Sequence, residues 1–144
     1  CTLSLVLLMA FSAKSNQLKA LGRACLVPAI FNINEPCVFG VVAWNPLMMI
    51  PMWLQGIVLP LVAYVFTKVI PLGAIPSMLF NMWYCPFPIA TFLTCGTIGS
   101  IVLMLIIFVV SGLIWMPFFK TYDKQLIDAE TAETESDSDD DWSF

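Results

Sequence analysis

Apolar residues run along most of this chain with few breaks, and the breaks divide it. Residues 3–13 are apolar and predict the end of a membrane helix. Residues 2–13 rise only about 18 Å as a helix, against roughly 30 Å of hydrocarbon to be crossed. With Cys1 rather than Met at its start, the chain reads as the C-terminal part of a longer protein. Lys14, Lys19 and Arg23 then alternate with leucines, so residues 15–24 predict a short interfacial helix with snorkelling cations or a plain cytoplasmic loop. Residues 25–31 return to lipid depth, where Pro28 and Pro36 oppose a clean span. Asn45-Pro46 is a turn signal. Residues 47–66 are long enough to span, with kinks expected at Pro51 and Pro60 and with Trp53 and Tyr64 near the interfaces. Residues 72–95 form a second interrupted stretch, broken by Pro76, Pro86 and Pro88. Gly96 and Gly99 precede residues 100–119, the strongest predicted helix. Gly96 and Ser100 form a small-xxx-small packing pair, and Pro117 falls in the last turn.

Charge gives this pattern a direction. Lysine and arginine at membrane edges favour the cytoplasmic side, so 14–23 and the region after Lys120 and Lys124 should both lie inside. The spans 47–66 and 100–119 go out and back. The stretches around 31 and 72–95 should therefore return to the side they start from, the first as a re-entrant hairpin. Lys68 is one outside cation against five inside. Apolar residues make up 60% of the chain and charged residues 11%, far from soluble-domain values. The fold class is all-α and integral to the membrane: polytopic helices with a re-entrant hairpin. Residues 1–125 form the membrane-embedded region and 126–144 an acidic, disordered, cytoplasmic tail. The early apolar run lacks the basic segment that opens a signal peptide.

Candidate chemistry concentrates in residues 31–40. Glu35 is the only acidic residue before Asp123. An ionisable group at membrane depth costs roughly 2.5–3.5 kcal/mol and usually marks function; the alternative is a neutralised structural carboxylate. Pro36 should push Glu35 out of helical geometry. Asn32 and Asn34 flank it with amide donors and acceptors, and Gly40 permits close packing or a turn. The expectation is unwound backbone presenting Glu35 to a polar cavity. The five cysteines show no C-x-x-C spacing and there is no histidine, so no metal or other cofactor is expected. The cysteines read as small apolar fillers.

The run F-N-I-N-E-P-x-x-F-G at 31–40, followed by N-P and a proline-containing helix, resembles the membrane-embedded IIC permease of the bacterial phosphotransferase system. The branch is the lactose/cellobiose/diacetylchitobiose one. A second match, P-F-F-K-T-Y-D-K-Q at 117–125, resembles the close of the last helix in such permeases. The resemblance implies that Glu35 is catalytic, facing the sugar hydroxyl that becomes phosphorylated, with Asn32 and Asn34 shaping the hairpin and the sugar pocket. Trp83, ahead of Pro86 and Pro88, resembles a family tryptophan that would stack on a sugar ring; an interfacial tryptophan is the alternative. It further implies a disaccharide substrate, IIB and IIA partner proteins, a cell-membrane location within lipid and a homodimer at full length. No nucleic-acid partner is expected. Three features depart from the pattern. Residues 40–45 are one residue short and lack a proline, residues 81–88 diverge, and the family's upstream histidine is absent. A fragment would leave that histidine in its missing part, and a complete chain could not be a working permease of this type. Two other functions fit the same residues: a secondary transporter coupling a proton or cation through Glu35, and a non-catalytic membrane remnant.

Overall fold

The computed structural model describes residues 2–70, 72, 75, 78, 79, 81, 82 and 84–140, with the side chains of the last helix described to residue 134. Every regular element among them is helical. The order is α1 (Thr2–Ser12), α2 (Asn16–Ile30), α3 (Glu35–Cys37), α4 (Pro46–Tyr64), α5 (Phe87–Cys95) and α6 (Ile98–Asp140). Helix α3 runs on as a π-helical turn, Val38–Val42, and α4 as another, Val65–Val69.

Two helices among the described residues are long and apolar enough to cross a membrane, Pro46–Val69 and Ile98–Thr134. They contain both spans expected from the sequence. Their apolar side chains are not all used inside the protein. Trp53, Ile57 and Leu61 on α4 and Leu105, Val109 and Leu113 on α6 are each more than half exposed. Both triplets repeat every four residues, which aligns them on one helix face. Such stripes would be costly in water and suit contact with lipid tails.

Helix α1 packs on α2 and α6, and α4 packs on α6. Leu5, Val6 and Met9 of α1, Leu18 and Cys25 of α2, Cys37, Val42, Met48, Trp115 and Phe119 close the core. Gly22 lets α1 and α2 touch: a Cβ there would lie 2.6 Å from the Ala10 nitrogen and 2.7 Å from the Met9 carbonyl carbon. Helix α2 is one continuous element rather than an interfacial piece followed by a break. Pro28 lies in its last turn, where it removes one N–H bond to the preceding turn without breaking the helix. Asn45 caps α4, its Oδ1 accepting from the Leu47 N–H at 3.0 Å, with Pro46 at the first helical position.

Three further expectations differ from the structure. Gly96 is outside α6: it closes α5 in a left-handed conformation, φ 61°, so it forms no helical packing pair with Ser100. The close approach belongs to Gly99, where a Cβ would collide with the Leu72 carbonyl. Pro117 is interior to α6, because the helix does not stop at residue 119 or at 125. It continues through the basic residues to Asp140, 43 residues in all, about 64 Å at 1.5 Å per residue. Composition alone predicts disorder beyond 126, but Glu130 has partners on α2 and helps hold the extension in place.

Candidate functional site

The stretch 31–40 is a tight turn at 31–34 followed by α3 and the start of the π-helical turn. Helix α2 ends at Ile30, and the chain reverses through Asn32, whose φ of 62° lies in the left-handed region that asparagine tolerates better than most residues. The turn is tied to α2 by its backbone: the Asn32 N–H donates to the Ala29 carbonyl at 3.1 Å and the Ile33 N–H to the Pro28 carbonyl at 2.9 Å. Asn34 then folds back, its Nδ2 donating to the Asn32 carbonyl at 3.2 Å and to Asn32 Oδ1 at 3.4 Å. The two asparagines flanking the turn thus hold each other.

Glu35 differs from its expected state in two respects. It is the first residue of α3 rather than extended chain. Proline disfavours helical geometry before it without forbidding it, and Pro36 in the first turn loses only an N–H that has no intrahelical partner. Glu35 is also exposed in this chain rather than buried. After it the backbone widens into the π-helical turn holding Phe39 and Gly40. Such turns recur at functional sites. Gly40 meets Leu21 of α2, since a Cβ there would come within 3.2 Å of its Cδ2.

Beside the turn lies a cavity of about 690 Å³ between α1, α2, α4, α5 and α6. Thr2, Asn32, Asn34, Tyr64, Thr67, Lys68, Thr91 and Ser100 bring its polar groups, and Phe87 and Phe108, stacked with centroids 6.1 Å apart, form one apolar wall. The cavity brings Asn32 and Asn34 together but not Glu35, which lies outside its lining. Trp83 falls outside the described residues. Cys25 and Cys37 are buried free thiols within the core. Among the described residues no group of three or more His, Cys, Asp or Glu could hold a metal ion.

Two polar networks lay outside the sequence reading. In the first, the Ser4 and Ser111 hydroxyls are 2.8 Å apart, and Ser111 in turn pairs with Gln55, joining α1, α6 and α4 through buried groups. The signal was there to find: Gln55 is the only amide side chain in α4, and Ser111 the only hydroxyl in residues 101–120. In the second, Asp123 and Glu130 of α6 reach the start of α2. Asp123 accepts from the Lys14 and Ser15 N–H groups at 3.0–3.1 Å. Glu130 accepts from the Ser15 hydroxyl at 2.6 Å and the Gln17 N–H at 3.0 Å. Its spacing of seven from Asp123, two helical turns, puts both carboxylates on one face.

Helices striped with unburied apolar residues, enclosing a cavity edged by amides and hydroxyls, define an all-α integral membrane protein. Comparison with known proteins shows what the chain is similar to. Residues 1–56 match the family model "Phosphotransferase system, EIIC". The chain is 42% identical over 134 residues to the cellobiose-specific EIIC component of Geobacillus stearothermophilus, covering 92% of this chain and 30% of that protein. It is 36% identical to the lichenan permease IIC component of Bacillus subtilis, covering 96% and 32%. Among solved structures it superposes on ChbC, the IIC component of the N,N'-diacetylchitobiose-specific phosphotransferase system. There the TM-score is 0.85 at 40% identity, covering 90% of this chain and 30% of that one. The chain is similar to the phosphotransferase-system EIIC family, and spans about a third of the length of these relatives.

Proposed function

We propose that this chain forms part of a membrane permease that moves a β-linked disaccharide inward and phosphorylates it on the way. The observation that carries this reading is the turn at 31–35. Two mutually bonded asparagines reach a cavity of about 690 Å³, next to the only carboxylate that precedes Asp123. The substrate class follows from the relatives, whose names specify cellobiose, lichenan and N,N'-diacetylchitobiose.

In this reading Asn32 and Asn34 hydrogen-bond sugar hydroxyls, and Trp83 stacks on a ring face. Glu35 is the catalytic residue and accepts the proton of the reacting hydroxyl. The hydroxyl oxygen attacks the phosphorus of a phosphocysteine on a IIB partner. The S–P bond breaks, the thiolate leaves with IIB, and the sugar phosphate departs inward; IIA recharges IIB. Positioning supplies much of the catalysis in such transfers. The exposure of Glu35 in this chain leaves its carboxylate open to a substrate. Helix α2, at 15 residues about 22 Å long, is too short to span, which supports a re-entrant hairpin. A multi-pass arrangement with the C-terminus in the cytoplasm follows from Lys14, Lys19, Arg23, Lys120 and Lys124. The membrane-embedded region is 1–125, and 126–144 is an acidic cytoplasmic extension that begins as helix. The whole protein is a homodimer.

The test is the chemical form of the accumulated sugar. Proteoliposomes holding the whole protein and charged with IIA and phosphorylated IIB should accumulate sugar phosphate, and none without IIB. Accumulation of free sugar driven by a proton or cation gradient would instead establish a secondary transporter.

A further inference from the structure

Asp123 is a charged side chain only 6% exposed, and a carboxylate that deep must be paired. Its partners are main-chain N–H groups: Lys14 donates to both oxygens, at 3.1 and 3.0 Å, and Ser15 to Oδ1 at 3.0 Å. Two turns further along α6, Glu130 takes the Ser15 hydroxyl at 2.6 Å and the N–H groups of Gln17 at 3.0 Å and Asn16 at 3.3 Å. Asn16 and Gln17 carry first-turn donors of α2 that have no intrahelical acceptor, and the helix dipole favours negative charge there. The last helix therefore grips the beginning of the second, across more than a hundred positions of sequence.

The other end of α2 carries the turn at Asn32. Its N–H bonds from Asn32 and Ile33 run back to Ala29 and Pro28, so the turn goes where the end of α2 goes. Between the two ends α2 has little freedom. Leu18, Cys25 and Ala29 are buried, and Gly22 abuts the backbone of Met9 and Ala10. A rod held this way passes a displacement at its start to its end.

We infer that Asp123 is a positioning residue for Glu35. The clasp of Asp123 and Glu130 sets where α2 begins, and α2 sets where the Asn32–Glu35 turn lies beside its cavity. The inference rests on the role of Glu35 proposed above. Reactive groups must be held within about 0.5 Å, and a displacement of about 1 Å can cost on the order of a hundredfold in rate.

Hydrogen–deuterium exchange on the whole protein in lipid nanodiscs tests the mechanical part directly. Asp123→Asn keeps the side-chain size but turns an amide toward N–H donors. Exchange over residues 31–40 should rise about threefold or more, while 101–110, within α6 and away from the clasp, stays unchanged. The phosphoryl-transfer kcat should fall about tenfold with KM within about twofold, and Asp123→Glu, which restores the carboxylate, should recover most of it. Unchanged exchange over 31–40 overturns the inference, and so does an equal rise in both windows, which signals general loosening. Should Asp123→Asn fail to accumulate, Glu130→Gln at the half-buried end of the clasp is held to the same comparison. The exchange result is independent of catalysis: normal transport by a Glu35→Gln variant would overturn the role of Glu35 and leave the clasp standing.

Discussion

Gln55 and Ser111 hold each other twice. The Ser111 hydroxyl donates to Gln55 Oε1 at 3.1 Å, and Gln55 Nε2 donates to the Ser111 carbonyl at 3.4 Å. The first residue is on α4 and the second on α6, the two helices among the described residues long enough to cross a membrane. Ser4 of α1 completes the group at 2.8 Å from the Ser111 hydroxyl. Lipid tails offer no hydrophobic gain to helix pairing, so packing and interhelical hydrogen bonds of this kind set which faces meet.

Removing one member should therefore cost more than its own bond, because the other is left buried without it. Ser111→Ala should destabilise the protein by about 1 kcal/mol, near the upper half of interhelical bonds measured in membranes. Gln55→Leu in the Ser111→Ala background should add less than it does alone, since the Ser111 hydroxyl that bonds Gln55 is already gone. Thermal unfolding of the four proteins of this cycle in one detergent measures the coupling. Additive effects would mean that the pair does not act as a unit.

Two glycines separate packing from propensity. A Cβ at Gly22 meets the backbone of Met9 and Ala10, which cannot move aside as a side chain can. Gly22→Ala should push α1 from α2 and cost about 1–3 kcal/mol. Gly56, inside α4, has nothing within 4 Å of the same position. Gly56→Ala should stabilise by up to about 1 kcal/mol through helix propensity alone. The melting temperatures of the two variants should move in opposite directions.

Much of the architecture is legible in the hydrophobic pattern, and the failures have physical causes. Residues 47–66 and 100–119 announce themselves because a span needs length and greasiness, which the sequence displays directly. Asn45-Pro46 starts a helix because both residues act locally. Glu35 was harder. The preference of a pre-proline residue for extended backbone is real but modest, and the first turn of a helix is where proline is tolerated. Its exposure could not be read at all, because burial depends on which elements pack against it. The helix beyond 126 was missed for the same reason. Its acidic composition says nothing of Ser15 and Gln17, far away in sequence, which Glu130 reaches. Gln55 and Ser111 were visible as lone polar residues in apolar runs, but only the fold pairs them.

Acid should weaken the second network. Glu130 lies beyond the apolar run of α6, and its carboxyl is held below the usual range by the Ser15 hydroxyl, then by the N–H groups of Gln17 and Asn16. A carboxyl depressed in the folded state lends stability that is present above its unfolded value, near 4.5, and is lost as pH falls through its lower folded value. The melting temperature of the whole protein should fall over that acid window, and the fall should be shallower in Glu130→Gln, which has no charge to lose. Identical pH profiles would remove Glu130 from the account.

Single-turnover transfer from phosphorylated IIB to disaccharide, comparing the whole protein with its Glu35→Gln variant in proteoliposomes, tests the central claim most directly. Glutamine preserves the shape of the turn but cannot take a proton. Transfer should fall by at least about a hundredfold, the common reach of a general base, while sugar binding and the amount of protein in the membrane stay near those of the unaltered protein. Transfer at an undiminished rate would contradict the account.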